Sequence, residues 1–162
     1  MKQIWAPWRL EYIHSEKPDE CIFCTAGSKD PRESLVLFAG SVSVVMLNKY
    51  PYNGGHLLIA PARHVAKLEE ITPEESIDAF RLMRHSTAAL TKTMKPDGFN
   101  VGFNLGKAAG AGIDDHLHIH IVPRWNGDSN FMPVLADIKV IPEHLLDTYD
   151  KLKPFFERLD LP

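Results

Sequence analysis

The run His116-Leu-His-Ile-His120 constrains the fold more than any other stretch of the chain. On a β-strand successive side chains point to opposite faces, so residues two apart share one face. His116, His118 and His120 then stand in a row on one side, and Leu117, Ile119 and Ile121 line the other. Strict alternation with apolar residues in the gaps predicts a half-buried strand whose apolar side meets the core. Three imidazoles on the opposite face offer groups suited to nucleophilic attack, proton transfer or metal binding near neutral pH. A merely solvated strand or a plain histidine-lined metal site would also use these residues, and the glycine-rich loop just upstream weighs against the former.

The chain has 162 residues, enough for one domain with a real core. Its formal net charge of −3 provides no general basic surface. Nucleic acid is therefore not expected as a partner, and any anion must be met by a local site. No apolar run approaches the ~20 residues of a membrane helix. The opening MKQIWAPWRLEYI has no apolar signal region, so a cytoplasmic location without membrane attachment is expected. Cys21 and Cys24, separated by two residues, favour a reducing compartment and a metal or redox role over a disulfide. Their flanks, KPDE and TAGSKDP, read as loop, which disfavours the strand-to-helix setting of a redox pair. As half of a zinc site they need two further ligands.

Taken in order, Trp5, Trp8 and Tyr12 around Pro7 read as an arm packed by aromatic anchors. Residues 35–39 and 41–47 form an expected hairpin with Gly40 at its turn. The stretch Asn48–Gly55 is loop by composition, and a short buried strand His56–Ala60 follows. Pro61-Ala-Arg-His64 turns the chain out of that strand. Thr72-Pro-Glu-Glu75 combines a cap, a first-turn proline and a capping box, so a helix starts there. Ile77, Phe80, Met83, Thr87, Leu90 and Met94 mark its expected core stripe, and Lys95-Pro96 its end. Leu82 and Ala89 back that stripe on another face, so that the helix can serve both core and partner. His85 reads as a surface residue of this helix.

Phe99–Asn104 is a further strand, followed by the small-residue loop Gly106–Gly112. That loop has the spacing of neither a P-loop nor a dinucleotide fingerprint, but its small residues let backbone N–H groups approach a phosphate. A last helix is expected near Pro142 with Leu145, Leu146, Tyr149 and Leu152 along one side. Pro154 is expected to interrupt it, leaving Phe155–Leu159 as a separate turn. One domain over 1–162 is expected: an arm with the cysteine pair over 1–30, a core over 31–125 and a helical extension over 126–162.

With these residues in hand, the chain resembles the histidine triad (HIT) family over most of its length. HLHIHIV matches the family's His-φ-His-φ-His-φ-φ pattern, and Asn48, Gly55-His56 and Pro61–His64 match upstream positions. WAPWRLEYI, NLGKAAGAGIDDHLHIH and VPRWNGDSNFMPV are most similar to the bacterial diadenosine polyphosphate phosphorylase and hydrolase branch. The resemblance implies an α+β fold, an antiparallel sheet with one long helix, and a homodimer formed through that helix and an adjoining strand. About five strands and two helices from the residue reading agree with it.

In this family the middle histidine attacks the α-phosphorus of a nucleotide, which makes His118 the expected nucleophile. A neutral imidazole attacks through one nitrogen while the other donates to a fixed acceptor. His120 is placed to bond a phosphate or leaving oxygen, and His56 to support the nucleophile. Asn104 and the backbone of Ala111 and Gly112 are expected to hold α-phosphate oxygens. Asn48 matches the family's ribose-binding position, and the adenine pocket is expected near Val44–Leu47. Histidine at position 120, where sugar-phosphate uridylyltransferase relatives have glutamine, argues against that activity. Relatives with the cysteine pair use the histidines matching His64 and His116 as ligands. The resemblance therefore implies a structural zinc on Cys21, Cys24, His64 and His116. Two free thiols, or zinc on the three triad histidines, are the competing readings.

The expected function is cleavage of dinucleoside polyphosphates, by phosphorolysis or hydrolysis, through a nucleotidyl-histidine. A nucleoside phosphoramidate hydrolase needs the same nucleophile and differs in leaving group. A nucleotide-binding regulator and a zinc-stabilised interaction module are the readings outside catalysis.

Overall fold

A computed structural model describes residues 20–110, 112–113, 115–128 and 143–159. The aromatic arm with Trp5, Trp8 and Tyr12, together with Ala111 and Pro142, lies outside the described residues. Strands β1 (Val36–Ala39) and β2 (Ser43–Leu47) form the expected hairpin. β2 pairs with β3 (Leu57–Pro61), and β4 (Gly98–Phe103) with β5 (Ile119–Arg124). All pairings are antiparallel, and the five-stranded sheet runs β1-β2-β3-β5-β4.

All of β2 is buried because both faces of the sheet are covered there. Val45 and Leu47 join the cluster beneath the helices, with Leu57, Ile59, Ile119 and Ile121. Val44 and Met46 face Phe23 and Ala26 of the cysteine-bearing segment, with Leu58 and Ala60. The cysteines thus belong to a segment packed on the sheet face opposite the helices.

Helix α1 (Pro73–Met94) begins as its sequence requires. Thr72 Oγ1 accepts from the Glu75 N–H at 3.2 Å, and the Glu75 carboxylate accepts from the Thr72 N–H at 2.8 Å. Its core face differs from the expected stripe. Leu82, Ser86, Ala89 and Leu90 are buried and Ala79, Met83 and Met94 pack beside them, but Ile77 and Phe80 are 72% and 66% exposed. At 3.6 residues per turn Ile77 lies about 140° round the helix from Leu82. The sequence carries two apolar faces, and the sheet takes the one centred on Leu82.

Helix α2 (Leu145–Phe156) runs through Pro154 without the expected break. Proline removes one N–H in the last turn, while Tyr149, Leu152 and Phe156 stay buried on the core. Three contacts hold the helix to what precedes and forms β1. Tyr149 donates to the Val36 carbonyl, Lys153 to the Leu37 carbonyl, and Arg32 grips Asp150 bidentately at 2.8 and 2.9 Å. His85 is only half-buried at the surface: its Nε2 donates to the Phe155 carbonyl and ties the two helices together.

Candidate active site and metal centre

The histidine row lies where β5 enters the sheet, and strand pairing begins only at Ile119. The facing strand β3 ends at Pro61, which has no N–H to offer. Leu117 instead donates its N–H to the Val65 carbonyl at 2.7 Å, which keeps the chain extended alongside the turn. The three imidazoles do share a face, but it is not a solvated one: His116, His118 and His120 are 0%, 6% and 9% exposed.

The two ends of the row have different surroundings. At the first, His116 Nε2 donates to the Pro61 carbonyl at 2.9 Å, which directs Nδ1 toward the cysteine pair. Nδ1 lies 3.1 Å from Cys21 Sγ and 3.6 Å from Cys24 Sγ, while His64 Nδ1 lies 3.2 Å from Cys24 Sγ. One donor atom from each of Cys21, Cys24, His64 and His116 falls within 4.8 Å of all the others. The Cys24 thiol is pushed up to about 11 by desolvation and by the adjoining Cys21 sulfur. The donor chemistry suits a thiophilic divalent cation, and the Pro61 carbonyl supplies the outer hydrogen bond that ligating histidines characteristically make. Arg63 fixes the turn bearing His64 by a double hydrogen bond to Glu75 at 2.9 and 3.0 Å.

At the second end the hydrogen bonds set every tautomer. His118 Nδ1 lies 2.7 Å from the His116 carbonyl, which can only accept, so the proton is on Nδ1 and Nε2 keeps its lone pair. Burial pushes the pKa of His118 below its ordinary value, which favours this neutral ring. The Tyr52 N–H donates to His56 Nδ1 at 3.0 Å, which in a neutral ring leaves the proton on Nε2. His56 Nε2 meets His120 Nδ1 at 2.9 Å, so the proton of neutral His120 sits on its own Nε2. That Nε2 is buried with no hydrogen-bond partner among the described residues. Burial, and then the nearby His118, lowers the pKa of His120 to about 4. The His118 and His120 rings are 4.8 Å apart, so a lone pair and an N–H donor stand side by side.

Gly55 seats His56. Its φ is +73°, and a β-carbon there would lie 2.6 Å from Met94 Sδ and 3.0 Å from Leu90 Cδ2 of α1. Asn48 is beside this histidine, its Nδ2 3.3 Å from His56 Nδ1 and its Oδ1 accepting from the Tyr50 N–H. Asn104 is joined to the site through Tyr52, whose hydroxyl accepts from Asn104 Nδ2 at 3.0 Å. The loop between β4 and β5 turns at Gly106 and Gly110, with φ of +79° and +87°. Gly112 is half-buried in that loop, and Ala111 lies outside the described residues. Of the stretch Val44–Leu47, Val44 and Met46 are on the sheet face that carries the histidines, since His120 pairs with Leu58 of the same cluster.

Two residues of this site escaped the sequence reading. Phe23, between the cysteines, is 1% exposed and packs its ring 5.0 Å from His116 and 5.1 Å from His118. An apolar residue between two expected ligands was the available signal. Tyr52 had no signal beyond its place in a turn-rich loop.

A family model described as the HIT domain matches residues 31–127. The chain belongs to the HIT family. Among HIT relatives, the AP-4-A phosphorylase of Mycobacterium tuberculosis is 36% identical over 157 residues, covering 91% of this chain and 80% of that protein. The asymmetrical bis(5'-nucleosyl)-tetraphosphatase of Schizosaccharomyces pombe is 34% identical over 101 residues, covering 62% of this chain and 55% of that one. The crystal structure of a Zn-bound histidine triad family protein from Mycobacterium smegmatis matches with a TM-score of 0.66 at 25% identity, covering 87% and 96% of the two chains.

Proposed function

We propose that this HIT protein cleaves dinucleoside polyphosphates such as diadenosine tetraphosphate at an α-phosphate, through a nucleotidyl intermediate on His118. The observation that carries the reading is the pair of fixed tautomers, a lone pair on His118 Nε2 beside an N–H on His120 Nε2. The phosphorylase and tetraphosphatase relatives support the substrate class.

In the first step the His118 Nε2 lone pair forms a bond to the α-phosphorus. The bond from phosphorus to the bridging oxygen breaks, and its electron pair leaves with the shorter polyphosphate. The His116 carbonyl, already bonded to Nδ1–H, stabilises the positive charge that develops on the ring. His120 Nε2–H bonds the departing oxygen or a non-bridging one, and its neutral form is kept by burial. In the second step an oxygen of phosphate or water attacks phosphorus, the P–N pair returns to Nε2, and an attacking water gives up its proton to solvent. Asn104 and the backbone at Gly112 hold the α-phosphate oxygens, and Asn48 the ribose.

Cys21, Cys24, His64 and His116 hold a structural zinc in this reading, supported by their mutual distances and by the Zn-bound relative. Four protein ligands close the metal off, so its contribution is to pin the segment around Phe23 to the catalytic row. The chain works as one unit over 1–162 and as a cytoplasmic homodimer. Support for the dimer comes from exposed Ile77 and Phe80 on α1, and from Val101 and Phe103 on the edge strand β4. Among the described residues no helix is long and apolar enough to cross a membrane.

Incubation with diadenosine tetraphosphate, with and without inorganic phosphate, tests the proposal. ADP plus ATP marks phosphorolysis and ATP plus AMP marks hydrolysis. Absence of turnover despite binding would replace the enzyme with a nucleotide-binding regulator, and faster cleavage of adenosine phosphoramidate would change the leaving group.

A further inference from the structure

We infer that Tyr52 is a positioning residue for nucleotidyl transfer, its ring holding and screening His120 and its hydroxyl aiming the Asn104 carboxamide at the α-phosphate. The inference rests on the function proposed above and adds a residue to it.

One side chain reaches both halves of the site. The phenol ring lies 11° from parallel to the His120 imidazole at 5.6 Å between centroids, and 4.6 Å from the His56 ring. An imidazole whose Nε2 has no hydrogen-bond partner among the described residues has little besides packing to fix its plane. His56 grips His120 only at Nδ1, which leaves rotation about that bond to be stopped by a flat neighbour. Tyr52 is that neighbour. It is 38% exposed and stacks on the 9%-exposed imidazole, so the phenol covers one face of that ring. The groups facing His120 are His56, His118 and Tyr52, with Leu58 and Gly102 beside it in the sheet. At the other end of the ring the hydroxyl accepts one N–H of the Asn104 carboxamide at 3.0 Å. That bond turns the second N–H and the plane of the amide in a fixed direction. The backbone N–H of the same residue sets the His56 tautomer and survives any substitution except proline.

Two substitutions separate these roles. Tyr52→Phe keeps the ring and removes the hydroxyl, so kcat/KM for diadenosine tetraphosphate should fall about fivefold, one oriented hydrogen bond's worth. Tyr52→Ala removes the screen and the stack, so kcat should fall by roughly 10- to 100-fold. A second readout needs no substrate: ring-proton NMR titration of the full chain. Wild-type and Tyr52→Phe proteins should keep His120 neutral down to about pH 4, and Tyr52→Ala should move its midpoint toward the ordinary histidine value. An unchanged His120 midpoint with unchanged kcat in Tyr52→Ala overturns the role of the ring. Equal kcat/KM in wild type and Tyr52→Phe overturns that of the hydroxyl. Should the wild-type protein turn over no dinucleotide, the proposed function fails, and the titration still decides whether Tyr52 controls His120.

Discussion

His118 donates its Nδ1–H to the main-chain carbonyl of His116 across 2.7 Å, while His116 turns its own ring the other way, toward Cys21. The proposed nucleophile is therefore oriented by the backbone of a proposed metal ligand. A shift of His116 moves the acceptor that sets the His118 tautomer, which couples the metal corner to the chemistry without any metal in the reaction path.

Replacement of His118 by alanine should abolish turnover of diadenosine tetraphosphate while leaving the melting temperature within a few degrees of wild type. His118→Gly should recover part of the activity on addition of imidazole, which supplies the missing lone pair. Near wild-type rates in the alanine variant would rule out covalent catalysis at this residue.

Metal analysis of the purified protein should give about one zinc per chain. Cys21→Ser should lose it and melt roughly 6–12 °C lower, the shift that about 3 kcal/mol produces in a domain of this size. Activity should fall as well, because the His116 carbonyl is no longer held. Metal-free protein of unchanged stability and full activity would refute the site.

Acid should destabilise the fold over a defined range. In the unfolded chain His120 takes up a proton near its ordinary value, whereas in the native protein burial holds its pKa at about 4. Its contribution is complete above about pH 6.5 and is lost as the pH falls toward 4. His116 and His118 are shifted in the same direction, first by desolvation. Melting temperatures should therefore drop between pH 7 and pH 4.5, and His120→Asn should make that drop shallower. A flat profile across this range would show that these rings are not buried as neutral groups.

Charge introduced at Ile77 and Phe80 tests the dimer. Both are largely exposed on α1, so aspartate at these positions disturbs no core contact. Light scattering at micromolar concentration should give a dimer for wild type and a monomer for the double variant. A wild-type monomer would remove the proposal.

Much of the fold was legible because its signals are local. Thr72, Pro73 and Glu75 specify a helix start within four residues, and the structure forms each hydrogen bond they imply. The alternation of His116 to Ile121 likewise places the histidines and the core residues on opposite sides. The core stripe of α1 was misread because spacing reports that a helix has an apolar face, and it does not rank two competing faces. Leu82 and Ala89 won because the sheet lies against them. The break at Pro154 was misjudged because a proline in a final turn costs little when Tyr149, Lys153 and Asp150 are each tied to neighbours far away in sequence. Tyr52 was hidden for the same reason: its partners Asn104 and His120 lie 52 and 68 positions away, by residue number.

The Glu75 carboxylate accepts from the Thr72 N–H at the start of α1 and from Arg63 in the turn that bears His64. Its pKa is held below the usual carboxylate range, chiefly by Arg63. One carboxylate is thus the hinge pin between the long helix and the corner where the cysteines and histidines converge. Anything that presses on α1, such as a second subunit seated on Ile77 and Phe80, has a rigid lever reaching the turn of His64. Assembly and metal retention would then rise and fall together, with subunit association felt at a corner that the partner need never touch.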